Sequence, residues 1–186
     1  CLQHARGDYI KYLFGDDMFA SRQALGRMVS IMDAREDISL VATARNIIDE
    51  RSLTKHVLSE RPTKIGYRGD EIIQDCLIEQ KNKIGEPSVV MFRKKHAARG
   101  FDGRYKQAVD LEMWFHLLEQ GDLAYVDEPL CSFREHPQQQ TRINISGNAF
   151  VEEPFLLLAD YANNPYIKVS RLIKEYMLYV PLYGIW

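Results

Sequence analysis

DYIKYLFGDDMF, residues 8–19, decides how this chain is read. Residues 8–13 alternate with a period near two and are rich in Tyr and Ile, which predicts a strand that runs out at the acidic pair Asp16 and Asp17. Beyond the pair, Ala24, Leu25, Met28, Val29 and Met32 recur at helical spacing, so a helix is expected over 19–33 with Ser21 as its N-cap. A strand that ends in two acids and hands over to an amphipathic helix is a building unit of α/β layered folds. Such folds bind ligands at the carboxyl ends of their strands.

Farther along, residues 38–48 (ISLVATARNII) are apolar and β-branched at both ends, which predicts a strand with substantial burial, and 61–68, with Pro62 and Gly66, reads as a loop. Ile72, Ile73, Cys76 and Leu77 predict a helix over 71–81. A short strand follows over 88–92, after the breaker formed by Gly85, Glu86 and Pro87. Leu111, Trp114, Phe115 and Leu118 form one stripe, so 105–120 is expected to be helical, with Gly121 as its cap and Asp110 in its first turns. Strands over 123–126 and 130–134 flank a turn at Asp127, Glu128 and Pro129, and helices are expected over 152–161 and 169–179.

With 186 residues, 46% of them apolar and 27% charged, the chain has the composition of one folded, water-soluble domain with an appendage. Its 24 basic and 26 acidic residues leave a net charge of −2, so no nucleic-acid partner is expected. Cys1, Cys76 and Cys131 are odd in number and far apart, which fits neither a disulfide framework nor a metal-binding Cys pair. With no run of about 18 apolar residues and no signal peptide, a cytoplasmic location is expected. The chain opens in mid-pattern, as part of something longer would. The aromatic segment 176–186 suits a membrane surface, a second subunit or its own domain.

Three places could carry chemistry. Adjacent carboxylates at a strand end repel and lose hydration unless a cation joins them, and Mg²⁺ or Mn²⁺ is the natural partner; taken alone, Asp16 and Asp17 also suit a plain helix-capping role. Asp110 near a helix start has the position of a general base, though Asp is common in any first turn. In FREHPQQQT (133–141), Arg134 and His136 leave a strand together and could serve a metal or a phosphate. The run RKKHAAR (93–99) reads as a solvated edge with no assigned chemistry. Trp114 could stack on a sugar ring, although its spacing also suits a core position.

In this order, ARGDYIKYLFGDDMF (5–19), IGEPSVVMFRK (84–94) and RGFDGRYKQAVDLEMWFHLLEQGDLAYVDEPLCSFREH (99–136) resemble the C-terminal part of the family 2 glycosyltransferases, nucleotide-sugar-dependent enzymes of the GT-A fold. The resemblance covers about residues 5–141. It implies an α/β fold over 1–146, a partial GT-A sheet with flanking helices that lacks the nucleotide-binding N-terminal strands, followed by a helical extension over 147–186.

By the same resemblance Asp17, Asp16 and His136 would hold Mn²⁺ or Mg²⁺. Asp16, Arg134 and Trp114 would contact substrate, and Asp110 would deprotonate the acceptor hydroxyl in an inverting displacement. The partners implied are a nucleotide-diphosphate sugar and a glycan, lipid or other hydroxyl acceptor. Phe14 stands where the family usually has another Asp, and the QxxRW motif of processive members is absent. Two rival readings are a non-catalytic interaction module derived from such an enzyme and an unrelated phosphoryl-transfer or hydrolase domain using Asp16 and Asp17. Surface left uncovered by a missing half would favour self-association, and contact with the inner face of a membrane is a further expectation.

Overall fold

The computed structural model describes residues 2–136 and 149–168, with 170 and 175. The rest of the helix expected over 169–179, the segment 176–186 and Cys1 lie outside the described residues. The strands are β1 (Tyr9–Lys11), β2 (Met18–Phe19), β3 (Ile38–Ile48), β4 (Thr54–Leu58), β5 (Lys64–Tyr67), β6 (Val90–Arg93) and β7 (Asp122–Arg134). The α-helices are α1 (Ala24–Ala34), α2 (Gly69–Glu79), α3 (Val109–Leu118) and α4 (Ala149–Tyr161). Among the described residues they form one mixed α/β sheet in the order β1-β6-β3-β7-β2, with β4 added to β3 and β5 to β7.

The parallel pair β3 and β7 is the centre of the molecule, and the other pairings are antiparallel. β3 is buried along nearly its whole length because both of its faces are covered. Leu40 and Ala42 join a core that includes Ile72, Ile73, Trp114 and Phe115 of α2 and α3, whereas Val41 joins Met28 and Met32 of α1. Each fully buried methionine contributes about 1.5–3 kcal/mol by leaving water. Leu157, Leu158 and Tyr161 of α4 enter the same core as α2 and α3, so the helix expected in the extension packs as part of the main body.

Several element boundaries differ from expectation. The helix after the acidic pair begins at Ala24 rather than 19, because Met18 and Phe19 pair as β2 with Ser132 and Cys131; Ser21 makes no side-chain cap, and Gln23 occupies the cap position. Part of the expected loop 61–68 is β5, and the two short strands expected at 123–134 are one strand. Asp127, Glu128 and Pro129 do not reverse the chain there. They are absorbed as an irregularity, with Thr43 opposite Val126 and Ala44 opposite Pro129.

The α3 helix is shorter than expected and ends on Glu119 in right-handed conformation, so Gly121 is not its cap. Gly121 is needed for close approach instead, since a Cβ there would lie 2.5 Å from the Asp37 carbonyl oxygen. The Asp122 N–H donates to that same carbonyl at 2.8 Å, which binds the start of β7 to the turn before β3.

Arg93 also departs from the solvated edge expected of 93–99. It is 8% exposed, and its guanidinium donates to the carbonyls of Met32, Arg35 and Ile38. It thereby satisfies the orphan carbonyls at the end of α1 and sets a cation at the negative end of the helix dipole.

Candidate functional site

The loop after β1 carries Asp16 and Asp17, and β7 ends beside it. The Arg134 N–H donates to Asp17 Oδ1 at 2.9 Å, and the Arg134 Nε–H donates to the Asp16 carbonyl at 2.8 Å. The same guanidinium donates to the Asp49 carbonyl and, at 2.9 Å, to Ser52 Oγ. Arg134 thus ties the acidic loop to the turn after β3, in a positioning role. Two residues on, His136 Nε2 lies 3.1 Å from Asp16 Oδ2. Asp16, Asp17, Arg134 and His136 are brought together.

Asp17 Oδ2 is buried and makes no hydrogen bond. Burial pushes the Asp17 carboxyl above its ordinary pKa, Asp16 adds to the rise, and the Ser88 hydroxyl, the Arg134 N–H and the Lys11 ammonium oppose it. Lys11 donates to the Ser88 and Tyr12 carbonyls, and burial lowers its pKa. A Mn²⁺ or Mg²⁺ ion at this loop would have to draw on Asp17 Oδ2, the Asp16 carboxylate and the His136 imidazole. Among the described residues no group of three or more His, Cys, Asp and Glu side chains stands close enough to hold a metal ion. Leu13, Phe14 and Met18, all exposed, give the loop an apolar flank.

Asp110 is the second residue of α3. Its Oδ1 accepts from the Leu111 N–H at 2.8 Å. Part of its surface remains open to solvent, yet the surrounding protein desolvates it enough to raise the carboxyl to about 6, with Glu86 and Glu153 adding their negative charge. The start of the helix is held from the C-terminal side of the chain. Glu153, 5% exposed on α4, accepts the N–H groups of Lys106, Gln107 and Ala108 at 2.7, 2.9 and 2.6 Å.

The two carboxylate regions lean on one segment, Gly85 to Ser88. Ser88 acts on Asp17 and accepts the Phe14 N–H at 3.1 Å, while Glu86 acts on Asp110. Gly85 has φ +133, and a Cβ there would lie 2.4 Å from Val89 Cγ2, so glycine is required. Its carbonyl accepts the Trp114 indole N–H at 3.0 Å. This corrects the substrate-contact role suggested for Trp114. The side chain is fully buried against Phe92, 5.7 Å between ring centroids, and has no face open to a sugar.

Sequence reasoning missed the partners that hold these groups. Arg45, 3% exposed, pairs with Glu86 through Nε at 2.7 Å and with Glu60 at 3.3 Å, and Lys81 pairs with Glu60 at 2.8 Å. An arginine inside the apolar run 38–48 is the available signal, because a buried guanidinium demands carboxylates. Glu86 and Glu153 show no local signal.

The fold is glycosyltransferase-like. No family model matches the chain. The crystal structure of S. aureus TarS, a family 2 glycosyltransferase, superposes with a TM-score of 0.57 at 14% identity, over 97% of this chain and 29% of that one. The protein MT1568 of Mycobacterium tuberculosis, described as uncharacterized, is 29% identical over 73% of this chain and 44% of its own length. The chain therefore spans less than half of either protein. No helix among the described residues is long and apolar enough to cross a membrane.

Proposed function

We propose that this chain carries the reacting groups of an inverting glycosyltransferase that moves a sugar from a nucleotide-diphosphate donor to an acceptor hydroxyl. The observation that carries the reading is the division of carboxylates across Gly85 to Ser88. Asp110, raised to about 6, has the proton affinity of a general base near neutral pH, whereas Asp17 accepts the Arg134 N–H and Asp16 lies beside the His136 imidazole.

In this mechanism Asp110 takes the proton of the acceptor hydroxyl as that oxygen attacks the anomeric carbon, and the diphosphate leaves from the opposite face. Asp16, Asp17 and His136 would hold Mn²⁺ or Mg²⁺, which when bound neutralises charge gathering on the leaving diphosphate. Arg134 keeps Asp16 and Asp17 at one height against the sheet, and the Glu153 clamp fixes the start of α3 so that Asp110 meets the acceptor in one orientation.

Thermal unfolding with UDP or GDP, with and without Mn²⁺, tests the reading. Stabilisation that requires nucleotide and Mn²⁺ together, is lost in Asp17→Asn and persists in Asp110→Asn is the expected result. Stabilisation by neither nucleotide, or by metal alone, overturns it in favour of an interaction module or a phosphoryl-transfer domain.

A further inference from the structure

At the Tyr9 end of β1, away from the acidic loop that follows Lys11, lies a groove of about 610 Å³, within the size range of small-ligand sites. Its lining carries Arg6, Arg93, Lys94, Lys95 and Arg99 against one acid, Asp8. In a chain of net charge −2 this is a marked segregation of positive charge. The five cations divide into two sets. Arg93 is fixed by carbonyls at the end of α1, Lys94 Nζ donates to the Ala5 carbonyl, and Arg99 forms a bidentate pair with the buried Glu112 at 2.8 and 2.7 Å. Arg6 and Lys95 are exposed and make no hydrogen bond or ion pair among the described residues.

We propose that this groove binds a phosphorylated small ligand, gripped by Arg6 and Lys95 beside the fixed cations Arg93 and Lys94, Arg99 being neutralised by Glu112. Phosphate matches the lining chemically, since a guanidinium fork and an ammonium point charge both suit its oxygens. The fixed cations are ordered before any ligand arrives, so part of the cost of assembling positive charge is met in folding. The net negative charge of the chain and the small extent of the groove disfavour a nucleic-acid duplex. The phosphate belongs either to a free metabolite or to a lipid headgroup.

Titration calorimetry with inorganic pyrophosphate, in EDTA so that no ion at Asp16 and Asp17 contributes, tests the free ligand. Sedimentation with phosphatidylglycerol-containing vesicles, against phosphatidylcholine alone, tests the headgroup. Pyrophosphate or anionic-vesicle binding that weakens about tenfold or more in the double variant Arg6→Glu, Lys95→Glu supports the site, and the arm that responds names the source. The milder pair Arg6→Gln, Lys95→Gln, with the circular dichroism of the parent chain, repeats the measurement on unaltered structure. Binding of neither probe, binding unchanged in both double variants, or binding only to oligonucleotides overturns the proposal.

Discussion

Asp17 and Asp110 are the same residue in two settings. Asp17 lies in a loop whose position depends on main-chain and hydroxyl donors and on the guanidinium of Arg134. Asp110 lies at the start of a helix among other carboxylates, with one N–H of its own helix as its hydrogen-bond donor. Burial raises both carboxyls, but at Asp17 the Ser88 hydroxyl, the Arg134 N–H and the Lys11 ammonium oppose the rise, whereas at Asp110 only main-chain N–H groups do. Two roles for one chemical group thus follow from what is packed around each.

The strongest way to break the comparison is to remove the proton acceptor. Asp110→Asn is expected to lower sugar transfer by about 10²- to 10⁴-fold with donor binding retained, measured as product formed against nucleotide-induced stabilisation. The same variant should be more stable than the parent at pH 7. A carboxyl whose folded-state pKa stands at about 6, above its ordinary 3.8, stabilises the fold below about pH 4, and that contribution is lost as pH rises through 6. The gain should reach up to about 3 kcal/mol in urea unfolding, and almost none at pH 4. Activity of the parent chain should rise through pH 6 to a plateau; a profile flat from pH 5 to 8 would remove Asp110 from the role.

Next in size, Glu153→Gln should cost about 2–3 kcal/mol, because an amide cannot accept three N–H groups as the carboxylate does. Arg134→Ala should cost about 1–2 kcal/mol and abolish any Mn²⁺-dependent nucleotide stabilisation, while leaving the titration of Asp110 in place. That separation is what two independent settings require. The smallest effect sharpens the contrast. Glu86→Gln should lower the Asp110 midpoint by less than about one pH unit, read from carboxyl ¹³C shifts, and an unchanged midpoint would mean that burial and Glu153 set it alone.

Much of this was legible in the chain before folding was considered. The bounds of β3 follow from its apolar, β-branched ends, and Arg134 and His136 stand out at the end of β7, whereas the acidic pair expected to close the first strand lies in the loop between Lys11 and Met18. β4 and β5 escaped because their residues are largely exposed and polar, so they carry no alternation that marks a core. The turn chemistry of Asp127, Glu128 and Pro129 was real, but pairing with β3 overrode it. Trp114 showed an aromatic on a helical stripe, which reads alike for core and for sugar contact; only the Gly85 carbonyl decides. Glu153 lies 43 positions beyond Asp110 in the chain, and no local pattern reports a clamp of that span.

The Arg134 amide hydrogen, donated to Asp17 at the tip of the central strand, is a built-in clock for the acidic loop. Deuterium can replace it only when the carboxylate lets go. Its replacement rate in heavy water therefore counts how often the loop lifts from the sheet, with no label, cargo or turnover needed.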